Sequence, residues 1–163
     1  VGTGAGLPGI PLAVYAPHLT VTLLDSLNKR VRFLMEVTAA MGLPNVRCIH
    51  ARAEEAARTA EHRAAYDIAV SRAVARLPVL LEYALPFVRI GGTLLALKGR
   101  AYAEEQKEAR RAAEVLGGGR ITARPVRLPG LDDVRAMLTV TKERQTPAAY
   151  PRGGGAPTRR PIV

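Results

Sequence analysis

Strands alternating with helices predict an α/β fold with a mostly parallel sheet and a C-terminal antiparallel hairpin. Three observations carry this prediction. Short apolar runs recur at Thr20 to Asp25 (TVTLLD), Asn45 to His50, Asp67 to Ser71 and Thr93 to Lys98. Segments of helical character separate them, which calls for a sheet covered on both faces by right-handed crossovers. Two further runs near the end of the chain, Arg120 to Leu128 and Met137 to Lys142, have only a short loop between them, which suits a hairpin at the sheet edge. With 163 residues and 48% hydrophobic composition the chain can bury one substantial core.

The elements follow in order. Pro8 to Tyr15 predicts a short helix, with prolines tolerated in its first turn. Thr20 to Asp25 ends in an acid and reads as a buried parallel strand. Leu27, Val31, Leu34, Met35 and Thr38 fall at helical spacing, and Gly42 is placed to end a helix over Leu27 to Met41. Asn45 to His50 is the next strand. Alanine and charge over Ala53 to Ala65 predict a solvent-facing helix. Asp67 to Ser71 is then a strand and Pro78 to Val88 a helix. A turn at Gly91-Gly92 leads to the strand Thr93 to Lys98. A helix over Ala103 to Leu116 meets Gly117-Gly118-Gly119, and Arg120 to Leu128 pairs with Met137 to Lys142. Residues 1–144 are thus expected to form one domain. Residues 145–163, with four prolines, three consecutive glycines and no apolar periodicity, are expected to form an extended basic tail.

The net charge of +10 favours a polyanionic partner. Charge alone leaves RNA, DNA and anionic membrane open. Cys48 is the single cysteine, which excludes a disulfide framework and a multi-thiolate metal site within one chain. His18, His50 and His62 lack metal-ligand spacing and read as structural or solvated, so no metal is expected. The apolar stretch from Leu77 to Lys98 is broken by Glu82, Pro86, Arg89 and two glycines, which excludes a continuous membrane span there.

The chain opens Val1-Gly2-Thr3-Gly4-Ala5-Gly6-Leu7-Pro8-Gly9, ahead of a helix, and Asp25 closes the next strand. Glycines let a backbone approach a ligand closely, and the acid can accept the two hydroxyls of a ribose. This predicts a nucleoside-containing cofactor. Gly4, Gly6 and Gly9 also spell a dinucleotide pattern, so a nicotinamide cofactor stays open. The earlier Gly2-x-Gly4-x-Gly6 spacing and the terminal hairpin favour S-adenosylmethionine.

GTGAGLPGIPLA, LLDSLNKRVRFL, ARAEE, SRAVARLPVL, GGTLLALKG and TPAAYPRGGGAP follow one another in this order. Together they resemble the bacterial 16S rRNA guanine-N7 methyltransferases, historically called glucose-inhibited division protein B. The resemblance covers essentially the whole chain. It implies a Rossmann-like S-adenosylmethionine-dependent methyltransferase fold with its first strand truncated. It further implies an acid just before Val1 and an amino-terminal helical segment ahead of that. The first strand would be central, so these residues alone are expected to expose apolar surface and to bind cofactor poorly.

The resemblance also assigns residues. Gly2 and Leu7 should line the methionine side of the cofactor, Gly4 and Gly6 should bind it too, and Asp25, Ser26 and Leu27 should contact its ribose and adenine edge. Ala53 and Glu54 should flank the adenine; a first-turn acid favoured by the helix dipole is the other reading of Glu54. Arg72 is the candidate catalytic residue, touching cofactor, target base or both. Its fork matches the N7 and O6 acceptors of guanine, although a surface salt bridge is the competing reading. Arg76, Lys98, Arg144 and Arg152 are candidates for RNA phosphate. The implied partner is 16S rRNA of the small ribosomal subunit, the implied setting the cytoplasm, and the implied state a monomer. A nicotinamide-dependent oxidoreductase and a noncatalytic RNA-binding domain are the alternatives that the residues leave.

Overall fold

The computed structural model describes residues 1–163, except for the side chain of Leu131. The chain divides into two compact units, Val1–Ala53 and Glu54–Val163.

In the first unit a glycine loop leads into α1 (Gly9–Tyr15), followed by β1 (Val21–Asp25), α2 (Asn28–Ala40) and β2 (Val46–His50). β1 and β2 pair in parallel, with Val21 opposite Val46 and Asp25 opposite His50. Leu23 of β1, Ile10 of α1 and Leu34 of α2 form a core on which Val21, Val37, Leu43, Val46 and Cys48 pack. α2 ends as its sequence predicts: Gly42 takes φ +62 and the Leu43 N–H returns to the Thr38 carbonyl at 3.0 Å. Val31, Leu34 and Thr38 face inward as their spacing requires, whereas Leu27 and Met35 are about half exposed, because the buried stripe is narrower than the apolar one.

The second unit contains α3 (Ala53–Ala56) apart from its first residue, β3 (Tyr66–Arg72), α4 (Leu77–Ala84), β4 (Val88–Lys98), α5 (Tyr102–Glu108), α6 (Arg110–Val115), β5 (Gly118–Leu128), β6 (Leu131–Lys142) and α7 (Ala156–Arg159). Its sheet has the order β3-β4-β6-β5. β3 and β4 are parallel, and β6 runs antiparallel to both β4 and β5, so the predicted hairpin is present with β5 at the edge. One face is built from Ala69, Leu94, Ala96, Leu138, Val140 and Ile121, all buried.

Three expectations change here. The helix expected over Ala53 to Ala65 stops at Ala56, where the Thr59 N–H and hydroxyl both turn back to the Ala56 carbonyl. Arg63 of this segment is not left to solvent, since it donates to the carbonyls of Ala57, Thr146, Pro147 and Tyr150. Gly91-Gly92 does not make a turn before a strand; β4 runs through it with an irregular register, Tyr66 pairing with Val88 but Ile68 with Thr93. The third change concerns residues 145–163, which are not an extended tail but pack on the second unit.

That packing is polar and specific. Glu82 of α4 is buried, and it accepts the Arg152 N–H at 2.7 Å and the Arg152 guanidinium at 2.9 Å on Oε1 and 2.6 Å on Oε2. Lys142, 1% exposed, donates to the carbonyls of Leu85 and Leu116 and to the Thr146 hydroxyl. Burial, with the Arg63 guanidinium nearby, lowers the Lys142 ammonium from its ordinary 10.5 to about 8. The folded chain therefore releases this proton before the unfolded chain does. Below pH 8 the penalty on stability is complete, and it fades as pH rises from about 8 to 10.5. Urea unfolding across that window should show stability climbing by up to about 3 kcal/mol from this group. Lys142→Met should flatten the rise, and an equal slope in both proteins would remove Lys142 as its source.

Candidate functional site

In the first unit the glycine loop is stitched to β1 and to its terminal acid. Gly2, Gly4 and Gly6 all take positive φ, at 62°, 59° and 95°. The Thr3 N–H donates to the Leu24 carbonyl at 3.2 Å, and the Gly6 and Leu7 N–H groups return to the Thr3 carbonyl. Asp25, 2% exposed, accepts the Gly4 N–H on Oδ2 at 2.9 Å and the Leu27 N–H on Oδ1 at 3.0 Å. One buried carboxylate thus joins the loop to the start of α2. Its charge is met by the exposed Arg30 guanidinium at 3.6 Å.

The glycines divide by role. A Cβ on Gly4 would meet nothing within 4 Å, so this turn faces open space. On Gly6 it would press into Ile10, with Cγ1 at 2.7 Å, and into Leu34 at 3.0 Å, while on Gly9 it would overlap Leu23. Gly6, expected at the cofactor, is therefore required for packing α1 and α2 closely. Leu7 and Leu27 expose apolar surface near this loop and acid, and Ser26 is exposed with its carbonyl held by His50 Nε2 at 3.1 Å.

These features fit a nucleoside cofactor. A carboxylate has about four acceptor positions, and backbone amides use two of those on Asp25. Thr3 Oγ1 is buried without a hydrogen-bond partner among the described residues, a polar atom in the loop that sequence reasoning missed because Thr3 looks like a spacer between glycines. Ala53 begins α3 half-buried; Glu54 is buried in its first turn.

In the second unit Arg72 ends β3 and is exposed. Ser71 before it is buried, and its Oγ has no hydrogen-bond partner among the described residues. The other predicted cations are engaged. Arg76 bonds Glu104 at 3.0 Å and Glu108 at 2.7 Å, and these carboxylates raise its already high pKa. Lys98 lies 2.7 Å from Glu105, and its side chain is 8% exposed, so it is not open to phosphate as expected. Arg152 is committed to Glu82 in the same way, and its guanidinium lies 5.9 Å from the Tyr150 ring centroid. Arg144 donates to the Glu114 carbonyl at 3.0 Å from an exposed position. Among the described residues no group of His, Cys, Asp or Glu could hold a metal ion, and no helix is long and apolar enough to cross a membrane.

A family model for rRNA small subunit methyltransferase G matches residues 1–126. The chain belongs to this family. The proteins named ribosomal RNA small subunit methyltransferase G from Alkaliphilus metalliredigens and Desulforamulus reducens are 51% and 48% identical to it, over 99% and 100% of this chain. The chain spans 68% of the length of each. Family membership sets aside the nicotinamide reading of the glycine pattern. Solved structures carry the same fold at low identity. M. jannaschii TYW2 in complex with AdoMet has a TM-score of 0.66 at 20% identity, covering 87% of this chain and 66% of that one. The T. thermophilus 16S rRNA N2 methyltransferase RsmC in complex with AdoMet and guanosine has a TM-score of 0.57 at 22% identity, covering 87% of this chain and 33% of that one. Sequence motifs and fold thus agree on an α/β methyltransferase of this rRNA-modifying family.

Proposed function

We propose that this chain carries the methyl-transfer machinery of an enzyme that moves a methyl group from S-adenosylmethionine to N7 of a guanine in 16S rRNA of the small ribosomal subunit. The buried Asp25 carboxylate, which ties the Gly4 and Leu27 amides together within a chain of this family, carries the reading. Its remaining acceptor positions take the ribose hydroxyls. Gly2, Gly4 and Leu7 line the methionine side, Ser26 and Leu27 the adenine edge, and the roles of Ala53 and Glu54 rest on the resemblance alone.

The cofactor supplies a methyl group on a sulfonium, which carries it as an electrophile. Guanine N7 has a lone pair and no proton, so the chain needs no general base and works by positioning. A donor on N7 would occupy the lone pair that attacks. Arg72 is therefore assigned to O6, where a guanidinium holds the base without blocking it. Side chains cannot read the deep groove of A-form RNA, so the target guanine lies in a loop or an irregular junction. The proposed setting is the cytoplasm, with the enzyme acting as a monomer.

The test is transfer of labelled methyl from S-adenosylmethionine to small subunits that lack the modification, with nuclease digestion to nucleosides. Label in 7-methylguanosine is the expected result. Cofactor binding without transfer would leave a noncatalytic RNA-binding domain.

A further inference from the structure

The residues that follow β3 are held in a conformation that needs support. Ala73, next to Arg72, has φ 54, a left-handed geometry that residues bearing a Cβ populate sparsely. Two and four residues further on, the backbone is held by one ion pair. Glu105 of α5 accepts the Leu77 N–H on Oε2 at 2.7 Å, and the same oxygen lies 2.7 Å from the Lys98 ammonium at the end of β4. Lys98 in turn donates to the Ala75 carbonyl at 2.5 Å. The pair thus grips the segment from Arg72 to Leu77 by one carbonyl and one amide. On the same helix, Glu104 and Glu108 hold the Arg76 side chain.

The Lys98 and Glu105 side chains are only 8% and 12% exposed. A buried ion pair brings little net stability over apolar side chains of similar volume, because both charges lose their water. What it adds is a fixed arrangement of the backbone groups it touches, and here those groups lie three and five residues after the exposed Arg72, in the short segment that joins β3 to α4. We propose that Lys98 and Glu105 are positioning residues for methyl transfer, clasping the segment after β3 so that the Arg72 guanidinium is presented in one orientation to the target base. This rests on the assignment of Arg72 under Proposed function.

The test uses the full chain carrying Lys98→Arg, or Lys98→Met together with Glu105→Leu; the double replacement leaves no unpaired buried charge. Amide hydrogen exchange over residues 73–77 should quicken roughly tenfold in the double variant. Its kcat should fall roughly tenfold or more, with KM for small subunits and affinity for S-adenosylmethionine within about threefold of the parent. Unchanged cofactor affinity shows that this variant is folded. Lys98→Arg keeps a cationic donor and should recover most of the lost kcat. Unchanged exchange would overturn the clasp, and quicker exchange with unchanged kcat would overturn its role in positioning Arg72. A raised KM for small subunits at unchanged kcat would also overturn it, making Lys98 a phosphate contact. Were the parent chain to transfer no methyl, the reading of function would fail, while the exchange result would still decide the clasp.

Discussion

Arg72→Ala is expected to lower kcat for methyl transfer about 100-fold, close to 2.7 kcal/mol of transition-state stabilisation. The argument starts from the chemistry. With no proton to remove at N7, the barrier depends on how well the lone pair is aligned with the methyl–sulfur bond, and a small misplacement of the base is enough to lose this much rate. Arg72 is the exposed cation that ends β3, whereas Arg76, four residues on, and Lys98, at the end of the paired strand β4, are bound to carboxylates. Affinity for S-adenosylmethionine should stay within about threefold if the contact is to the base. Arg72→Lys keeps the charge but not the planar fork, and should recover only part of the rate. Single-turnover rates with saturating small subunits, together with calorimetric cofactor titration, check this. A weakened cofactor at unchanged single-turnover rate would move Arg72 to the cofactor instead.

Much of the fold around this site was legible because its signals are local. Asp25 closes an apolar strand and Gly42 follows a helical stripe, and each does what a reader of a few neighbouring residues expects. The glycines were legible as a group but not one by one: the need for Gly6 comes from Ile10 and Leu34, whereas Gly4 faces open space. Gly92 looked like part of a turn because its neighbour is also glycine. In fact a Cβ there would lie 2.5 Å from the Asp67 carbonyl oxygen on the adjacent strand, a constraint from pairing rather than from chain reversal.

The charged residues were least legible, since a sequence gives the sign of a charge and not its partner. Arg152 and Glu82 are 70 residues apart, and Lys98 meets a carboxylate on the following helix. The same long-range bonding explains why helical propensity failed after Ala56. Arg63 there serves carbonyls more than 80 residues away, and those contacts outweigh the few tenths of a kcal/mol per residue that alanine contributes. A segment rich in proline and glycine could therefore look like a free tail while Arg152 and several of its carbonyls were committed to the second unit.

Asp25→Ala is expected to weaken S-adenosylmethionine at least 100-fold and to lower stability by about 3 kcal/mol, because one carboxylate serves both ligand and loop. Its two hydrogen bonds to the Gly4 and Leu27 amides are charge-assisted and lie in a side chain 2% exposed. Bonds to charged groups contribute about 1.5 to 3 kcal/mol each, and part of the loss is regained as water reaches the freed amides. Asp25→Asn separates the two effects. Its carbonyl oxygen can keep one amide, but its NH2 group opposes the other N–H, so stability should fall by less than in the alanine variant while affinity still drops. Arg30→Ala is the control: that guanidinium is exposed and 3.6 Å from Asp25, a geometry that contributes at most about 1 kcal/mol. Calorimetric titration and urea unfolding of the three variants give both quantities. Cofactor affinity in Asp25→Ala within about threefold of the parent would take the ribose away from Asp25, and would leave the carboxylate as a brace between the glycine loop and α2.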